Sequence, residues 1–140
     1  MSRSGYGDGT DDNWSMIKWR GQVASAIRGR RGQVFLRDML AALDAMPVKR
    51  LIRDDLVHEG DVCALGAVGI ARHIDMSEID PHDCDTVANK FGIANPLACE
   101  IMYMNDEVDG YHEQSRYRRD TPEERWERMR SWVASLIREE

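Results

Sequence analysis

Apolar side chains recur at intervals of three and four residues along much of this chain, which is the pattern of amphipathic helices. Asn13 is a favourable N-cap for the first such stretch, and residues 29–32 interrupt the pattern with two glycines. A second stretch runs to Pro47, which cannot continue a helix. Because the interruption is short, we expect these two helices to form an antiparallel hairpin. Their apolar positions are Trp14, Ile17, Val23, Ala24, Ile27, Phe35, Leu36, Met39, Leu40, Leu43 and Met46.

The middle of the chain mixes extended and helical signals. A His-Glu-Gly turn between apolar flanks is compatible with one small β-hairpin near residues 49–63, where the helical pattern is weakest. The apolar run that follows has the length and composition of a buried helix. Its two glycines, Gly66 and Gly69, allow a neighbouring segment to approach closely. An acidic connector over residues 75–85 ends this part of the chain.

Three further helices are predicted in the C-terminal part. Two short helices, separated by Gly92, precede a polar stretch over residues 105–120 that predicts a flexible loop. The last helix starts with a capping box formed by Thr121 and Glu124. The short helices cover about residues 85–90 and 96–104, and the last helix carries an apolar stripe of Trp126, Met129, Val133, Leu136 and Ile137.

These elements predict a mainly α fold, with five or six helices in one compact, bundle-like domain over residues 13–140. Residues 1–12 are rich in Gly, Ser and Asp and are expected to form a flexible N-terminal segment. The longest apolar run is ten residues, well short of the roughly 20 that a membrane helix needs, so no membrane association is expected. Three distant cysteines and the lack of a signal peptide favour reduced thiols and a cytoplasmic location.

Charge is divided unevenly along the chain. Residues 14–53 carry nine basic and two acidic side chains, a net charge of +7, whereas residues 54–140 have a net charge of −11. The total of −6 therefore hides a dipolar molecule, whose opposite fields decide which partners it attracts. Opposite charges on one surface would also allow symmetric or head-to-tail self-association, so a homo-oligomer is among the expected arrangements.

The basic stretch contains the candidate binding site. Its cations surround the turn between the first two helices, as a phosphate-contacting surface requires, and Trp14 and Trp19 could stack on bases. The alternative is a solvated basic face that meets the acidic half of the chain or a partner protein, with both tryptophans in the core. The site residues are Lys18, Arg20, Arg28, Arg30, Arg31 and Arg37.

Residues 85–102 have the spacing of a helix-turn-helix, in which a small residue packs between the helices and a glycine makes the turn. The second helix offers no Arg or Lys to DNA, and Glu100 would repel phosphate. We therefore interpret the segment as a packing unit rather than as a DNA reader. The side chains that would face DNA are Asn95, Leu97, Cys99, Glu100 and Met102.

The sequence predicts no catalytic residue, no metal-ligand set and no cofactor. Its cysteines and histidines form no Cys-x2-Cys or His-x3-His pair that could chelate a metal ion. Cys63 lies in an apolar run and is expected to be a buried, inert thiol. Glycine-rich residues 5–9 lack the preceding strand and the following lysine of a phosphate-binding loop. We therefore expect a protein that is not an enzyme.

Two short segments carry a resemblance to a known group of proteins. GDVCALGAV at residues 60–68 and MNDE at residues 104–107 precede a C-terminal amphipathic helix. This arrangement resembles small uncharacterised proteins of temperate phages and prophages of proteobacteria, with a Cys-Leu-Gly-Val-type segment and a Leu-Asn-Asp segment. The likeness covers residues 50–137, and the first 49 residues look similar to phage proteins of the same kind. Ala64 departs from relatives that often have a second cysteine, which weakens any inherited thiol or metal role.

The resemblance implies a phage accessory origin and a mainly helical fold, and it supplies no activity. Together with the polarised charge, it predicts a non-enzymatic phage or prophage accessory protein that acts by protein–protein binding in the cytoplasm of a bacterial host cell. Inhibition of a host or defence factor is the expected role. The alternative is a nucleic-acid-binding module that uses the basic helical hairpin, residues 14–53.

Overall fold

Six helices and one two-stranded hairpin make up the regular structure of residues 3–4, 13–108 and 120–139, the part of the chain that the computed structural model describes. This architecture confirms the predicted mainly α fold with a small hairpin. In these residues, no helix is both long enough and apolar enough to cross a membrane. The elements are α1 (Asn13–Arg28), α2 (Arg30–Ala45), β1 (Val57–His58), β2 (Asp61–Val62), α3 (Ala64–Ala71), α4 (Cys84–Phe91), α5 (Asn95–Asp106) and α6 (Pro122–Leu136).

Two predicted flexible segments fall mostly on positions outside this description. Of residues 1–12, only Arg3 and Ser4 are described, and both are buried. Of residues 105–120, the first two belong to α5, and residues 109–119 lie outside the described part. The expectation of flexibility therefore stays a prediction for most of both segments.

A single residue, Gly29, separates α1 from α2. The two helices meet closely at this corner, because a Cβ on Gly32 would overlap the carbonyl oxygen of Ala26. The Gln33 side chain donates hydrogen bonds to the carbonyl oxygens of Ile27 (2.8 Å) and Leu136 (3.0 Å), which joins α1, α2 and α6. Further from the corner, α1 packs against α5. The two helices are thus fixed to each other mainly at their connection.

Helix α2 is the centre of the core and packs against α3 and α6. Its buried face follows the predicted spacing, and Phe35 meets Phe91 of α4 edge to face with ring centroids 6.1 Å apart. Helix α6 starts with the predicted capping box and buries Met129 and Val133. The indole nitrogen of Trp126 donates to the carbonyl oxygen of Leu43 at 3.1 Å, so α6 is also fixed to α2 by a directional bond.

The hairpin is shorter than the predicted region and lies at its C-terminal end. Val57 pairs with Val62, and the two turn residues, Glu59 and Gly60, both have positive φ angles (51° and 86°), as a tight two-residue hairpin turn requires. Helix α3 follows directly, and a Cβ on its Gly66 would overlap the Leu56 carbonyl oxygen. The predicted close approach at this glycine is confirmed.

Buried polar side chains cluster where α5 ends, and we call Arg3, Asn105 and Asp106 the α5 polar cluster. Arg3 forms a buried ion pair with Asp106, in which Nη2 lies 2.8 Å from Oδ1 and Nε donates to Oδ2. The Asn105 amide accepts a bond from the Ala64 backbone N–H (3.1 Å) and donates one to the Ile52 carbonyl oxygen (2.9 Å). The cluster therefore joins the chain start, the segment before the hairpin, α3 and α5.

Two helical glycines provide a matched test of this packing. Gly21→Ala in α1 is expected to raise the free energy of unfolding by about 0.5–1 kcal/mol, because no atom outside the helix backbone lies within 4 Å of the new Cβ. Gly32→Ala in α2 is expected to lower it by about 1–3 kcal/mol, because the new Cβ overlaps a neighbouring backbone oxygen. Urea unfolding of both variants measures the difference. Equal stability of the two variants would contradict the close α1–α2 corner.

Acid unfolding tests the α5 polar cluster. Burial raises the pKa of the Asp106 carboxyl, but the hydrogen bonds and charge of Arg3 outweigh burial and hold this pKa below its usual range. Because the pKa is lower in the folded state, the stabilisation is present above about pH 4 and is lost as pH falls through the folded pKa. Asp106→Asn is expected to cost about 3–5 kcal/mol at pH 7, since it leaves Arg3 buried without its ionic partner, and to flatten the loss in acid.

Asp44→Asn is the matched control for this experiment. Asp44 also accepts two hydrogen bonds from one arginine, Arg130, but both side chains are largely exposed. Exposed pairs contribute little because water screens them. Urea denaturation at several pH values should therefore leave the control close to the wild type. Equal losses for the two variants would contradict a dominant role of the buried pair.

Candidate binding surface

One side of α1 is exposed along its whole length, and we call it the α1 face. Its residues recur every three or four positions, so they point to the same side of the helix. The N-terminal half is apolar, with Trp14 69% and Ile17 63% exposed. On the opposite side, Val23 is fully buried. The α1 face consists of Trp14, Ile17, Lys18, Gly21, Ser25 and Arg28, all exposed.

The structure separates the two tryptophans that the sequence grouped together. Trp19 is partly buried, whereas Trp14 lies on the surface and is mostly exposed to solvent. The interpretation that placed both in the core is therefore wrong for Trp14. The physical reason is the rotation of the helix, because a step of five positions from Trp14 turns Trp19 towards the side that carries Val23.

A shallow cavity of about 710 Å³ adjoins the α1 face. It lies between the middle of α1 and the connection that leads into α5, and the missing side chain at Gly21 keeps its floor open. Lys18 contributes a cation to its rim. The lining residues are Lys18, Gly21, Gln22, Ser25, Ala26, Ala94 and Pro96.

The six predicted site residues divide into two groups. Arg20 forms a bidentate ion pair with the buried carboxylate of Glu100, with hydrogen bonds of 2.8 and 2.9 Å. Arg37 donates to the Arg138 carbonyl oxygen at 2.6 Å. These two arginines stabilise contacts between elements. The second group is exposed and makes no ion pair with any residue that the structure describes: Lys18, Arg28, Arg30 and Arg31.

A second cavity, of about 550 Å³, lies at the start of α2. Arg30 and Arg31 line it together with Arg72, which the sequence analysis did not select. The Arg72 guanidinium lies 5.0 Å from the centre of the Phe35 ring and donates to the Phe91 carbonyl oxygen (3.1 Å) and to Asp38. Arg72 is therefore held in place beside the exposed Arg30 and Arg31, and the cavity extends beyond the predicted hairpin.

Helices α4 and α5 have the connection expected for a helix-turn-helix, with Gly92 in the left-handed conformation (φ 70°). However, α5 is a core helix whose side chains at Leu97, Cys99, Glu100 and Met102 are buried. Side chains in the core cannot reach the edges of bases. The structure thus supports the interpretation of this segment as a packing unit.

The histidines, cysteines and carboxylates are the remaining side chains that could support metal or thiol chemistry. Within the described ranges, no three of these side chains lie close enough to hold a metal ion. Cys63 is buried, as predicted, and caps α3 by accepting a hydrogen bond from the Gly66 N–H (3.4 Å); its inertness stays a prediction. The Cys84 sulfur lies 3.7 Å from the Met102 sulfur, one helical turn after Cys99, and spacing alone did not indicate this proximity because 15 positions separate the two cysteines.

No protein-family model matches the chain, and no curated protein or solved structure is significantly similar to it. The resemblance to phage and prophage proteins therefore stays a prediction. Function has to be inferred from the exposed surface and its chemistry.

Removing single arginines tests the division of the cations into two groups. Arg20→Gln is expected to lower the free energy of unfolding by about 1–3 kcal/mol, because the buried Glu100 carboxylate loses two charge-assisted hydrogen bonds. Arg28→Gln is expected to change it by less than about 0.5 kcal/mol, since an exposed side chain without an ion pair is replaced. Urea unfolding measures both values. A loss at Arg28 as large as that at Arg20 would contradict the division.

Proposed function

We propose that the protein acts by binding another protein, through the α1 face and the free cations beside it. The observation that carries this proposal is the exposure of Trp14 and Ile17 next to Lys18 on one side of a helix. Large exposed apolar side chains that lie together mark contact surfaces, and aromatic residues are over-represented among the residues that contribute most to binding. A non-enzymatic binding protein fits this surface best.

The charge around the apolar residues defines the chemistry of the partner. Lys18 and Arg28 lie on the α1 face, and Arg30 and Arg31 lie just beyond the corner with α2. Complementary charge raises the rate of encounter and disfavours partners of the same sign. The partner surface is therefore acidic, with an apolar centre that receives Trp14 and Ile17.

The biological setting rests on the resemblance of residues 50–137 to phage and prophage proteins. On that basis, the protein is a phage or prophage accessory protein in the cytoplasm of a bacterial host cell. Its partner is a host or defence factor that the bound protein inhibits. The resemblance suggests which kind of protein the partner is, whereas the α1 face suggests that the partner surface is acidic with an apolar centre.

A capture experiment with matched variants tests the proposal. The wild-type chain is immobilised and exposed to host lysate, and the captured protein is purified and its Kd measured. Trp14→Ala with Ile17→Ser is expected to weaken this Kd at least about tenfold, since truncating a central aromatic residue of an interface costs about 2 kcal/mol or more. Val48→Ser is the control, because Val48 is also exposed (53%) but lies outside the α1 face.

Two further results decide the outcome. Circular dichroism should show unchanged helix content and an unchanged Tm for the double variant, because both replaced side chains are exposed. Arg28→Glu with Arg31→Glu should slow association and reduce its dependence on salt. Equal binding by the wild type, the double variant and the Val48 control would refute docking at the α1 face.

Nucleic-acid binding by the basic hairpin is the second candidate. The specific observation in its favour is the group of Arg30, Arg31 and Arg72 around one cavity, with Trp14 available for stacking on a base. Fluorescence anisotropy with duplex DNA and single-stranded RNA at about 50 and 200 mM salt tests it, because phosphate contacts weaken steeply over this range. Binding that Arg28→Glu with Arg31→Glu abolishes would support this function. No salt-sensitive binding would exclude it.

A further inference from the structure

The fold brings two thiols together from different helices. Cys84 is the first residue of α4, and Cys99 lies on the side of α5 that α4 contacts. The Cys84 sulfur is 3.7 Å from the Met102 sulfur, and Met102 follows Cys99 by three positions on the same helix face. Asn95, whose side-chain oxygen accepts from the Cys99 thiol, also donates to the carboxylate of Asp85, the residue after Cys84, at 2.7 Å. These contacts place the two thiols in the same part of the α4–α5 interface.

The two thiols differ in access to solvent. Cys84 is partly exposed, whereas Cys99 is 5% exposed and donates to the Asn95 side-chain oxygen at 3.6 Å. The Cys84 thiol donates to the Arg3 carbonyl oxygen at 3.2 Å, which fixes its position at the rim of the α5 polar cluster. An oxidant from solvent therefore reaches Cys84 first.

The electrostatic surroundings also favour Cys84 as the first of the two thiols to react. The hydrogen bond from Cys99 lowers the pKa of the Cys84 thiol, and the Arg3 guanidinium acts in the same direction, against burial and the Asp85 carboxylate. The same thiol–thiol hydrogen bond, together with burial, raises the pKa of Cys99. Since the thiolate is the reactive form and Cys84 is the more exposed of the two thiols, we assign Cys84 as the nucleophile of the pair.

The geometry points to Cys84 and Cys99 as an oxidisable thiol pair that forms an intramolecular disulfide when the protein meets hydrogen peroxide. The site is independent of binding at the α1 face. It differs from Cys63, which is fully buried and caps α3. A reduced protein in the cytoplasm would thus carry one buried structural thiol and one pair that reports oxidant.

The chemistry proceeds in two balanced steps. The Cys84 thiolate attacks one oxygen of hydrogen peroxide, the O–O bond breaks, and hydroxide leaves, so that Cys84 becomes a sulfenic acid. The proton that Cys84 released converts the hydroxide to water. The Cys99 sulfur then attacks the Cys84 sulfur, the S–O bond breaks, and a second water leaves with the Cys99 proton. Two electrons pass from the sulfur atoms to the peroxide in total.

Thiol counting on the full chain tests this proposal. The purified, reduced protein is treated with peroxide, the excess is removed, and the remaining thiols are alkylated with N-ethylmaleimide after denaturation. One alkylated thiol, at Cys63, is expected in place of three, together with the loss of two hydrogen masses. Peptide mapping should find residues 84 and 99 in one linked pair, and dithiothreitol should restore all three thiols.

Single substitutions separate the roles of the two sulfurs. Cys99→Ser should leave a sulfenic acid at Cys84, which dimedone traps, because the second thiol is missing. Cys84→Ser should prevent disulfide formation and remove the thiol that alkylates fastest in the folded protein. Cys63→Ser is the control, and it should form the 84–99 disulfide like the wild type. Circular dichroism before and after oxidation verifies that each variant is folded.

Several outcomes would overturn the proposal. Three alkylated thiols after peroxide treatment of the folded wild type would show that the pair does not oxidise. A disulfide that includes Cys63, or one between two chains on a non-reducing gel, would show that a different pair reacts. Oxidation confined to methionine would place the reaction at another sulfur.

Discussion

The buried contact between Arg3 and the end of α5 is the constraint on which the other elements depend. Residues 46–56 form neither helix nor strand, so their backbone groups need partners from elsewhere. Asn105 supplies one to Ile52, and the Asp106 carboxylate accepts the Asp54 N–H at 3.1 Å while it pairs with Arg3. Apolar side chains could fill the same volume but could not satisfy these groups. The cluster therefore determines how the connecting segment lies over the core.

Charge in this molecule serves two separate purposes. Buried and half-buried pairs hold elements together, as Arg3 does with Asp106 and Arg20 with Glu100. Among the described residues, Lys18, Arg28, Arg30 and Arg31 make no ion pair and lie on the α1 face and at the start of α2, where exposed apolar side chains accompany them. The division of charge that is visible in the sequence is thus only partly a surface property. The positive charge that remains at the surface is smaller than the sequence indicates, and it lies beside the surface that we propose as the binding site.

Most of the fold could be predicted because it depends on residues that are close in sequence. The site was harder to predict because its contacts join residues that are far apart in sequence. The capping box at Thr121 and the turn at Gly92 depend on neighbouring residues, and both were located correctly. The predicted hairpin region was too long. The two positive-φ residues form the turn, and each strand that flanks the turn has only two residues. Arg20 was counted among free cations because Glu100, its partner, is 80 positions away. The proximity of Cys84 and Cys99 was missed for the same reason.

The free cations also explain how an apolar α1 face can persist on a small protein. Two copies that met through Trp14 and Ile17 would bring the adjacent Lys18 side chains of the two chains close together. Repulsion between like charges opposes that contact, whereas an acidic partner gains from it. Because α1 buries little beyond Val23, the core formed by the later helices does not depend on covering this face. The same residues would thus disfavour self-association and favour the acidic partner that we propose.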